Sequence, residues 1–256
     1  MTDETRTILE WTYTPKEYFE VPITVSFSGG SIELSNGNAS GEFDGRFYTE
    51  GREFRDRADA FLRSQFRAQL VKSLKPFTLN HAGFYRRHPD GRTDACAFPE
   101  TVVIRFFSTS PDMISRDAAG NIIQDTRAER LADRAKFRAA IACLYETDRV
   151  LKRMLDSIEN ALRDPDNFLI HLYEVRDALA SEFGSDAQAK AALTISSADW
   201  SKFGRMANED PLLEGRHRGK RDNLRKATQD EIDWARKFCG TLIEGYVHYR
   251  IASHAQ

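Results

Sequence analysis

The chain has 256 residues, of which 41% are hydrophobic and 30% are charged, and its formal net charge is −2. This length allows one large or two ordinary domains with buried cores, and the composition excludes a disordered chain. No run approaches the roughly 18 apolar residues of a membrane-spanning helix, and the start MTDETRTILEW lacks the basic end and apolar stretch of a secretory signal. We therefore expect a cytoplasmic protein with no membrane partner.

Residues 1–124 show mainly the two-residue periodicity of β-strands. Turn sequences such as SGG, NGN and HPDGR separate β-branched and aromatic runs. One helix interrupts them, since apolar residues recur at three- and four-residue steps over 53–74 until Pro76 stops the pattern. The predicted strands are 23–27, 31–35, 77–85 and 101–107. This pattern predicts a β-rich α+β domain with one packed helix, of unknown role.

Residues 125–256 have the 3.6-residue periodicity of helices throughout. We expect one long helix over 126–162, a break at Pro165, and a second helix over 167–183 that ends at Gly184. Two shorter helical segments and a last helix over about 229–252 follow. Thr228 and Glu231 stand at capping-box spacing at the start of that last helix. The predicted fold class is therefore α+β, with an all-α helical bundle after the β-rich domain.

The segment GRHRGKRDNLRK, residues 215–226, concentrates positive charge. It contains six Lys or Arg and one Asp, a net charge of +5, whereas residues 125–256 contain 22 Lys or Arg and 22 Asp or Glu. The segment also precedes a helix N-terminus, whose N–H groups and dipole favour an anion. Gly215 and Gly219 permit close backbone approach. The pattern indicates a phosphate or carboxylate ligand; the alternative is a solvated loop whose cations pair with acids elsewhere in the bundle.

His217 gives this segment a potential for chemistry. Arg216 and Arg218 flank it, and neighbouring positive charge disfavours the protonated imidazole. A neutral histidine can accept a proton, and an arginine can stabilise charge that develops on phosphorus. These groups are necessary for attack of an RNA 2′-hydroxyl on its own phosphate without a metal, but they are not sufficient. Whether the domain is an enzyme or only a binding protein therefore stays open.

Other catalytic and metal-binding patterns are absent from the sequence. It contains no Gly-rich phosphate loop, HExxH, GxSxG or spaced metal-ligand cluster. Cys96, Cys143 and Cys239 lie far apart without a CxxC pair, which is typical of reduced, mostly buried thiols, and the helical pattern predicts a core position for Cys143. We expect neither a metal nor another cofactor.

Residues 150–252 resemble a group of uncharacterised bacterial proteins that share LYEVRDAL, ISSADWSKFGRMAN and GRHRGK. This part of the chain is similar to HEPN-like helical domains, many of which are metal-independent ribonucleases or nucleotide-binding partners in toxin and defence systems. Such domains dimerise, and an Arg and a His from each subunit line a shared cleft. The motif of that family is an Arg, often followed by a polar residue, with His four to six residues later. Here Arg205 and Asn208 precede His217, and eleven residues separate Arg205 from His217.

The resemblance implies a nucleic-acid partner, RNA rather than DNA, and a homodimer. It implies that Arg205, Arg216 and His217 are catalytic and face the substrate phosphate. Glu174 and Arg176 would orient the substrate, although their two-residue spacing puts them on different flanks of one helix. The predicted substrate-binding residues are Arg218, Lys220, Arg221, Asn208, Glu174 and Arg176.

A second interpretation is a helix-turn-helix protein that binds DNA. The apolar residues of AKAALTISSADWSKF have the required spacing, with ISS as the turn and ADWSKFGRM as the helix that would enter the major groove. Lys190 and Thr194 argue against it, since these positions usually carry a small residue and a glycine.

A third interpretation is a non-enzymatic interaction protein. The N-terminal stretch WTYTPKEYFEVP is rich in aromatic residues, which would form either part of the core or a protein-binding face. The four rings concerned are Trp11, Tyr13, Tyr18 and Phe19.

Overall fold

The structure is a computed structural model that describes residues 5–97, 114–116, 122–216, 219 and 223–254. It has the α+β architecture expected from the sequence, with an antiparallel sheet in the first part and helices after it. The chain forms two compact units, Met1–Phe66 with Phe77–Ala132, and Arg67–Pro76 with Asp133–Gln256. The sequence predicted a single boundary between residues 124 and 125, and it did not predict that residues 67–76 belong to the second unit. Within the described ranges, no helix combines the length and the apolarity needed to cross a membrane.

In the described part of the first unit, six strands form one antiparallel sheet, which we call the main sheet. Its spatial order is β2-β3-β4-β1-β5-β6. The strands are β1 (Arg6–Thr14), β2 (Ile23–Phe27), β3 (Gly30–Ser35), β4 (Asn38–Asp44), β5 (Thr78–Arg87) and β6 (Thr93–Ala97). A separate hairpin consists of β7 (Ile114–Arg116) and β8 (Ile122–Asp125). The predictions over 23–27, 31–35 and 77–85 are confirmed, β1, β4 and β6 were missed, and 101–107 lies outside the described residues.

A short helix α1 (Phe47–Glu50) and the long helix α2 (Arg52–Ser73) follow β4. Phe54, Ala58, Leu62 and Phe66 on α2 are fully buried, as their spacing predicts. The four N-terminal aromatic rings are also buried: Tyr13, Tyr18 and Phe19 contact one another and Phe66, and Trp11 contacts His81. These rings therefore belong to the core and do not form an exposed protein-binding face.

The helices after β8 are α3 (Thr126–Tyr145), α4 (Arg149–Arg163), α5 (Phe168–Phe183), α6 (Asp186–Leu193), α7 (Ser197–Asn208) and α8 (Gln229–His254), with a 3₁₀ turn at Pro165–Asn167. The prediction of one helix over 126–162 is wrong, because α4 begins anew after Asp148. The Asp148 carboxylate accepts a hydrogen bond from the Leu151 N–H at 2.9 Å, which is an N-cap. Gly184 ends α5 with a φ of 85°, as expected.

The capping box at the start of α8 is confirmed. The Thr228 N–H donates to Glu231 Oε2 at 2.8 Å, and the Glu231 N–H donates to Thr228 Oγ1 at 3.3 Å. Cys239 on α8 is buried, but Cys143 is exposed on α3, contrary to expectation. The buried stripe of α3 runs through Phe137, Ile141 and Leu144, so Cys143 lies beside it.

Candidate functional site

Helix α7 carries two exposed cations on one flank. Lys202 and Arg205 are three residues apart, whereas Trp200 and Phe203 are buried. The Lys202 ammonium lies 3.9 Å from the ring centroid of Trp234. Arg205 is solvent-exposed and forms no ion pair with any carboxylate of the described residues. This end of α7 therefore presents positive charge that is not neutralised by a carboxylate of the described residues.

The basic segment begins directly on the C-terminal end of α7. The Arg216 N–H donates to the Ala207 carbonyl at 2.8 Å. A Cβ at Gly215 would lie 3.2 Å from the same carbonyl oxygen, so glycine permits this close approach. Asn208 is half-buried in the adjoining turn, and its side-chain oxygen has no hydrogen-bond partner among the described residues. Arg205, Asn208 and Arg216 are thus brought together.

The Arg216 side chain lies against α5. Its Nη1 donates to Asp177 Oδ2 at 3.3 Å, and its guanidinium carbon is 4.6 Å from the Tyr173 ring centroid. The side chain is 38% exposed. Arg216 is therefore held in a defined place while part of its guanidinium faces solvent.

Arg176, by contrast, lies inside the second unit. Its guanidinium carbon is 5.0 Å from the Trp200 centroid and 5.1 Å from the Tyr173 centroid, and Nη2 donates to Asp186 Oδ2 at 2.5 Å. Its side chain is only 13% exposed. In this structure Arg176 packs against Tyr173, the ring that Arg216 also contacts.

Glu174 lies on the other flank of α5, as the two-residue spacing predicts. It lines a cleft of about 400 Å³ between α4 and α5, and the Ser157 hydroxyl donates to its Oε2 at 2.9 Å. Asp177, the partner of Arg216, lines the same cleft, so Arg216 is next to its rim. The other lining residues are Arg153, Asp156, Asn160, Ala178 and Ser181. The lining holds three carboxylates and one guanidinium, and two of the carboxylates are paired from outside it, Asp156 with Arg67 and Asp177 with Arg216.

The far end of the basic segment is neutralised by the chain itself. Arg225 forms two hydrogen bonds with the Glu231 carboxylate at 2.7 and 2.8 Å, and these bonds lower the pKa of Glu231 to about 2. The Ala227 N–H donates to Glu214 Oε2 at 3.0 Å. The anion expected at the start of α8 is thus supplied by the chain's own carboxylates. Lys226 is exposed.

Four of the predicted site residues cannot be assigned a geometry. His217, Arg218, Lys220 and Arg221 lie outside the described residues. Among the predicted residues that are described, Arg205, Asn208 and Arg216 lie close together along the chain fold at the end of α7. Arg176 is buried behind the Tyr173 ring that Arg216 also contacts, and Glu174 lies in the cleft between α4 and α5. The sequence interpretation missed Tyr173 and Asp177, although their four-residue spacing within LYEVRDAL indicates one helix flank.

The segment proposed as a helix-turn-helix forms two helices, α6 and α7, joined by a short turn. Thr194 adopts a left-handed conformation with a φ of 54°, and Ser196 caps α7 through the Asp199 N–H at 3.4 Å. The buried small residue is Ala189, while the ammonium of Lys190 reaches the Ser197 hydroxyl at 3.1 Å. Thr194 therefore adopts the left-handed conformation at the turn position that usually carries a glycine, and the Lys190 side chain reaches the first residue of α7.

Comparison with family models, with curated proteins and with solved structures finds no match for this chain. Within the described ranges, no group of three or more His, Cys, Asp or Glu residues could hold a metal ion. The assignment of a function therefore depends on the geometry around α7 and on the chemistry of the residues there.

Proposed function

We propose that the helical unit binds a nucleic acid, RNA in preference to DNA, through the C-terminal end of α7 and the basic segment 215–226. The observation that carries this proposal is the 2.8 Å hydrogen bond from the Arg216 N–H to the Ala207 carbonyl. It joins the start of the basic segment to the helix that carries the exposed Lys202 and Arg205. Exposed cations held at fixed spacing are the groups that contact phosphates in nucleic-acid complexes.

RNA is favoured for two reasons. Guanidinium planes such as that of Arg216 can stack on the splayed bases of single-stranded RNA as well as bind its phosphates. The resemblance of residues 150–252 to HEPN-like domains also points to RNA.

The test compares two double variants that remove the same charge. Arg205→Ala with Arg216→Ala removes the proposed contacts, and Lys136→Ala with Arg149→Ala removes exposed cations elsewhere in the second unit. Each phosphate contact to a single strand contributes about 0.7 to the slope of log K against log salt, so the first variant should reduce that slope by about 1.4. The control variant should bind RNA like the native chain. Equal losses in both variants would contradict the proposal.

We extend the proposal to a metal-independent cleavage step with His217 as base. The imidazole takes the proton of the RNA 2′-hydroxyl, the 2′-oxygen bonds to phosphorus, and the bond from phosphorus to the 5′-oxygen breaks. The 5′-oxygen takes a proton from water, and the imidazolium gives its proton to the hydroxide that forms, so a cyclic phosphate, a 5′-hydroxyl and neutral His217 remain. His217→Ala should abolish cleavage but leave binding intact, and EDTA should have no effect. Activity that requires a divalent metal would exclude this mechanism.

The order α6, short turn, α7, with exposed cations on α7, favours duplex DNA as a second candidate ligand. In that case Lys202 and Arg205 would contact the DNA directly, and the basic segment would contact the phosphate backbone without catalysis. Competition between duplex DNA and RNA of equal length distinguishes the two, because the RNA proposal requires RNA to win. The remaining alternative, a non-enzymatic interaction protein, predicts that the chain retains neither nucleic acid.

A further inference from the structure

Strand β2 presents an unprotected edge of the main sheet. Within the described residues it pairs with β3 on one side and stands at the end of the strand order. Its five residues, ITVSF, carry no charge, and their register with β3 is unbroken. Proteins usually protect an edge strand with a charged side chain, a proline or a bulge inside it. This edge lacks those devices, and no other strand of the described ranges pairs with its outward backbone groups.

The β2-β3 turn determines which backbone groups point outward. Ser28 and Gly29 have φ values of 47° and 75°, which is the pattern of a two-residue type I′ turn. Such a turn is closed by a hydrogen-bonded pair, here Phe27 and Gly30, and hydrogen bonding recurs at every second pair along the hairpin. Val25 and Ile23 therefore bond to β3. The N–H and C=O groups of Thr24 and Ser26 point toward the open edge.

This edge is complementary to itself. If a second copy pairs antiparallel about a two-fold axis at Val25, the outward groups of Thr24 meet those of Ser26 in the other copy, and four backbone hydrogen bonds form. On one face Ile23 lies opposite Phe27 and Val25 opposite Val25, whereas hydroxyl side chains meet on the other face. Ile23 and Val25 are only half-buried, so a second copy would cover apolar surface.

Other registers are less favourable. A shift by two residues in one direction brings Pro22 into the ladder, and proline has no N–H to donate. A shift in the other direction brings in Ser28, whose φ of 47° is not that of an extended strand. Only the register centred on Val25 uses every outward group of β2 within extended backbone.

We propose that β2 is a homodimer interface, in which two copies of the chain pair antiparallel about Val25 and join their main sheets into one. A two-fold axis closes this assembly at two copies. The occupant is a second copy because a single two-fold axis brings two sets of groups together. It places the outward N–H and C=O groups of the two β2 strands opposite one another, and it places their apolar side chains on the same face. This interface is proposed as the dimer contact in place of the shared helical cleft of HEPN-like dimers, and it is measured without nucleic acid, so its failure and the failure of the proposed function are distinguishable.

Thr24→Pro tests the interface at its hydrogen bonds. Proline removes the outward N–H and leaves the β2-β3 bonds intact, which is where edge strands tolerate it. A dimer loses two hydrogen bonds, each worth roughly a factor of five, so the dissociation constant should rise about twenty-five-fold in sedimentation equilibrium of the full chain. Thr24→Val, which keeps the N–H, should dimerise like the native chain. An unchanged dissociation constant for Thr24→Pro, or a native chain that stays monomeric at high micromolar concentration, would overturn the proposal.

A charge exchange at the axis tests the geometry independently of folding effects. Val25→Lys and Val25→Glu should each be monomeric, because like charges meet across the two-fold axis. An equimolar mixture should restore dimers, which only a contact of Val25 with its own copy explains. If the mixture remains monomeric while both variants keep the native circular dichroism, the proposed register is wrong.

Discussion

Gly204 occupies the position on α7 that lies against the guanidinium of Arg176. A Cβ at this position would lie 2.1 Å from Arg176 Nη1, a distance that forces the guanidinium to move. The same guanidinium holds Asp186 and contacts the rings of Tyr173 and Trp200. A single small residue therefore maintains the packing behind the proposed binding surface.

The effect of Gly204→Ala on the free energy of unfolding should change sign when Arg176 is removed. Alanine in a helix is favoured over glycine by about 1 kcal/mol. Displacement of Arg176 should cost more, since a charged hydrogen bond contributes about 1.5–3 kcal/mol and a cation–π contact about 0.5–2. We expect a net loss of about 1–2 kcal/mol in the free energy of unfolding. In the Arg176→Ala background the same substitution should stabilise the protein, and urea denaturation of the four chains measures both values; additive effects would contradict the contact.

At the level of elements, local side chains decide where the helices of the second unit begin. Asp148 interrupts a periodic pattern that otherwise continues across α3 and α4, and its carboxylate also accepts hydrogen bonds from the Tyr246 hydroxyl at 3.1 and 3.2 Å. Burial, and then the charge of Asp148, raise the pKa of Tyr246. Glu231 acts similarly at α8, where it closes the capping box and binds Arg225.

Glu231→Gln should lower stability in a way that depends on pH. The hydrogen bond from Arg225 is the first cause that lowers the pKa of Glu231 from 4.5 to about 2. A carboxyl whose pKa is lower in the folded chain stabilises it above the unfolded pKa, and this contribution is lost as pH falls through the folded pKa. We expect Glu231→Gln to cost about 1 kcal/mol at pH 7, because glutamine keeps the capping-box hydrogen bond but loses the charge. The difference in the free energy of unfolding between Glu231→Gln and the native chain should shrink as pH falls from 4.5 to about 2.

Urea denaturation at a series of pH values measures this effect. Asp230→Asn is the matched control, since Asp230 also lies in the first turn of α8 but has no bond to Arg225. A difference between Glu231→Gln and the native chain that stays constant down to pH 2 would show that the carboxylate charge is not responsible.

At the scale of the whole molecule, the second unit includes the end of a helix that begins in the first. Arg67 on α2 donates to Glu159 at 2.7 Å and to the Tyr145 hydroxyl at 2.8 Å. Glu159 is buried, with 6% of its side chain exposed. The helical unit therefore relies on a cation supplied from a distant part of the sequence.

A fragment cut at residue 125 should consequently fold poorly. It lacks 67–76, so the buried Glu159 keeps Arg163 but loses Arg67, and loss of one charged hydrogen bond costs about 1.5–3 kcal/mol against a total stability of about 5–15 kcal/mol. We expect the fragment 125–256 to show helical circular dichroism without a cooperative thermal transition. Glu159→Gln in the same fragment should partly restore cooperativity, because it removes the buried charge. A native-like melt of the unmodified fragment would contradict this account.

The sequence predicted those features of the fold that depend on near neighbours. The helix over Arg52–Ser73, the end of α5 at Gly184 and the capping box at Thr228 are confirmed because each depends on residues within four positions of one another. Strand β1 was missed because it lies between β4 and β5 and is buried on both faces along much of its length, so the alternation of apolar and polar residues is lost.

The candidate site could be predicted only in part, because some of its features depend on contacts between residues far apart in the sequence. Charge counting identified the segment 215–226, and the HEPN-like resemblance named Arg205, Asn208 and Arg216, which the fold brings together. Neither could show that Arg225 is neutralised by Glu231 or that Arg176 is enclosed by aromatic rings. Those outcomes depend on which helix faces pack together, which one chain's residue pattern does not specify.

The sequence by itself therefore determined the order of a β-rich part and a helical part, the helix boundaries at Gly184 and Thr228 and the local concentration of charge, because hydrogen bonding within a turn and capping act over a few residues. The tertiary structure alone decided which cations stay exposed and which are paired, and it made β2 an edge. Both depend on contacts between segments far apart in the chain, whose free energies exist only after the core has brought those segments together.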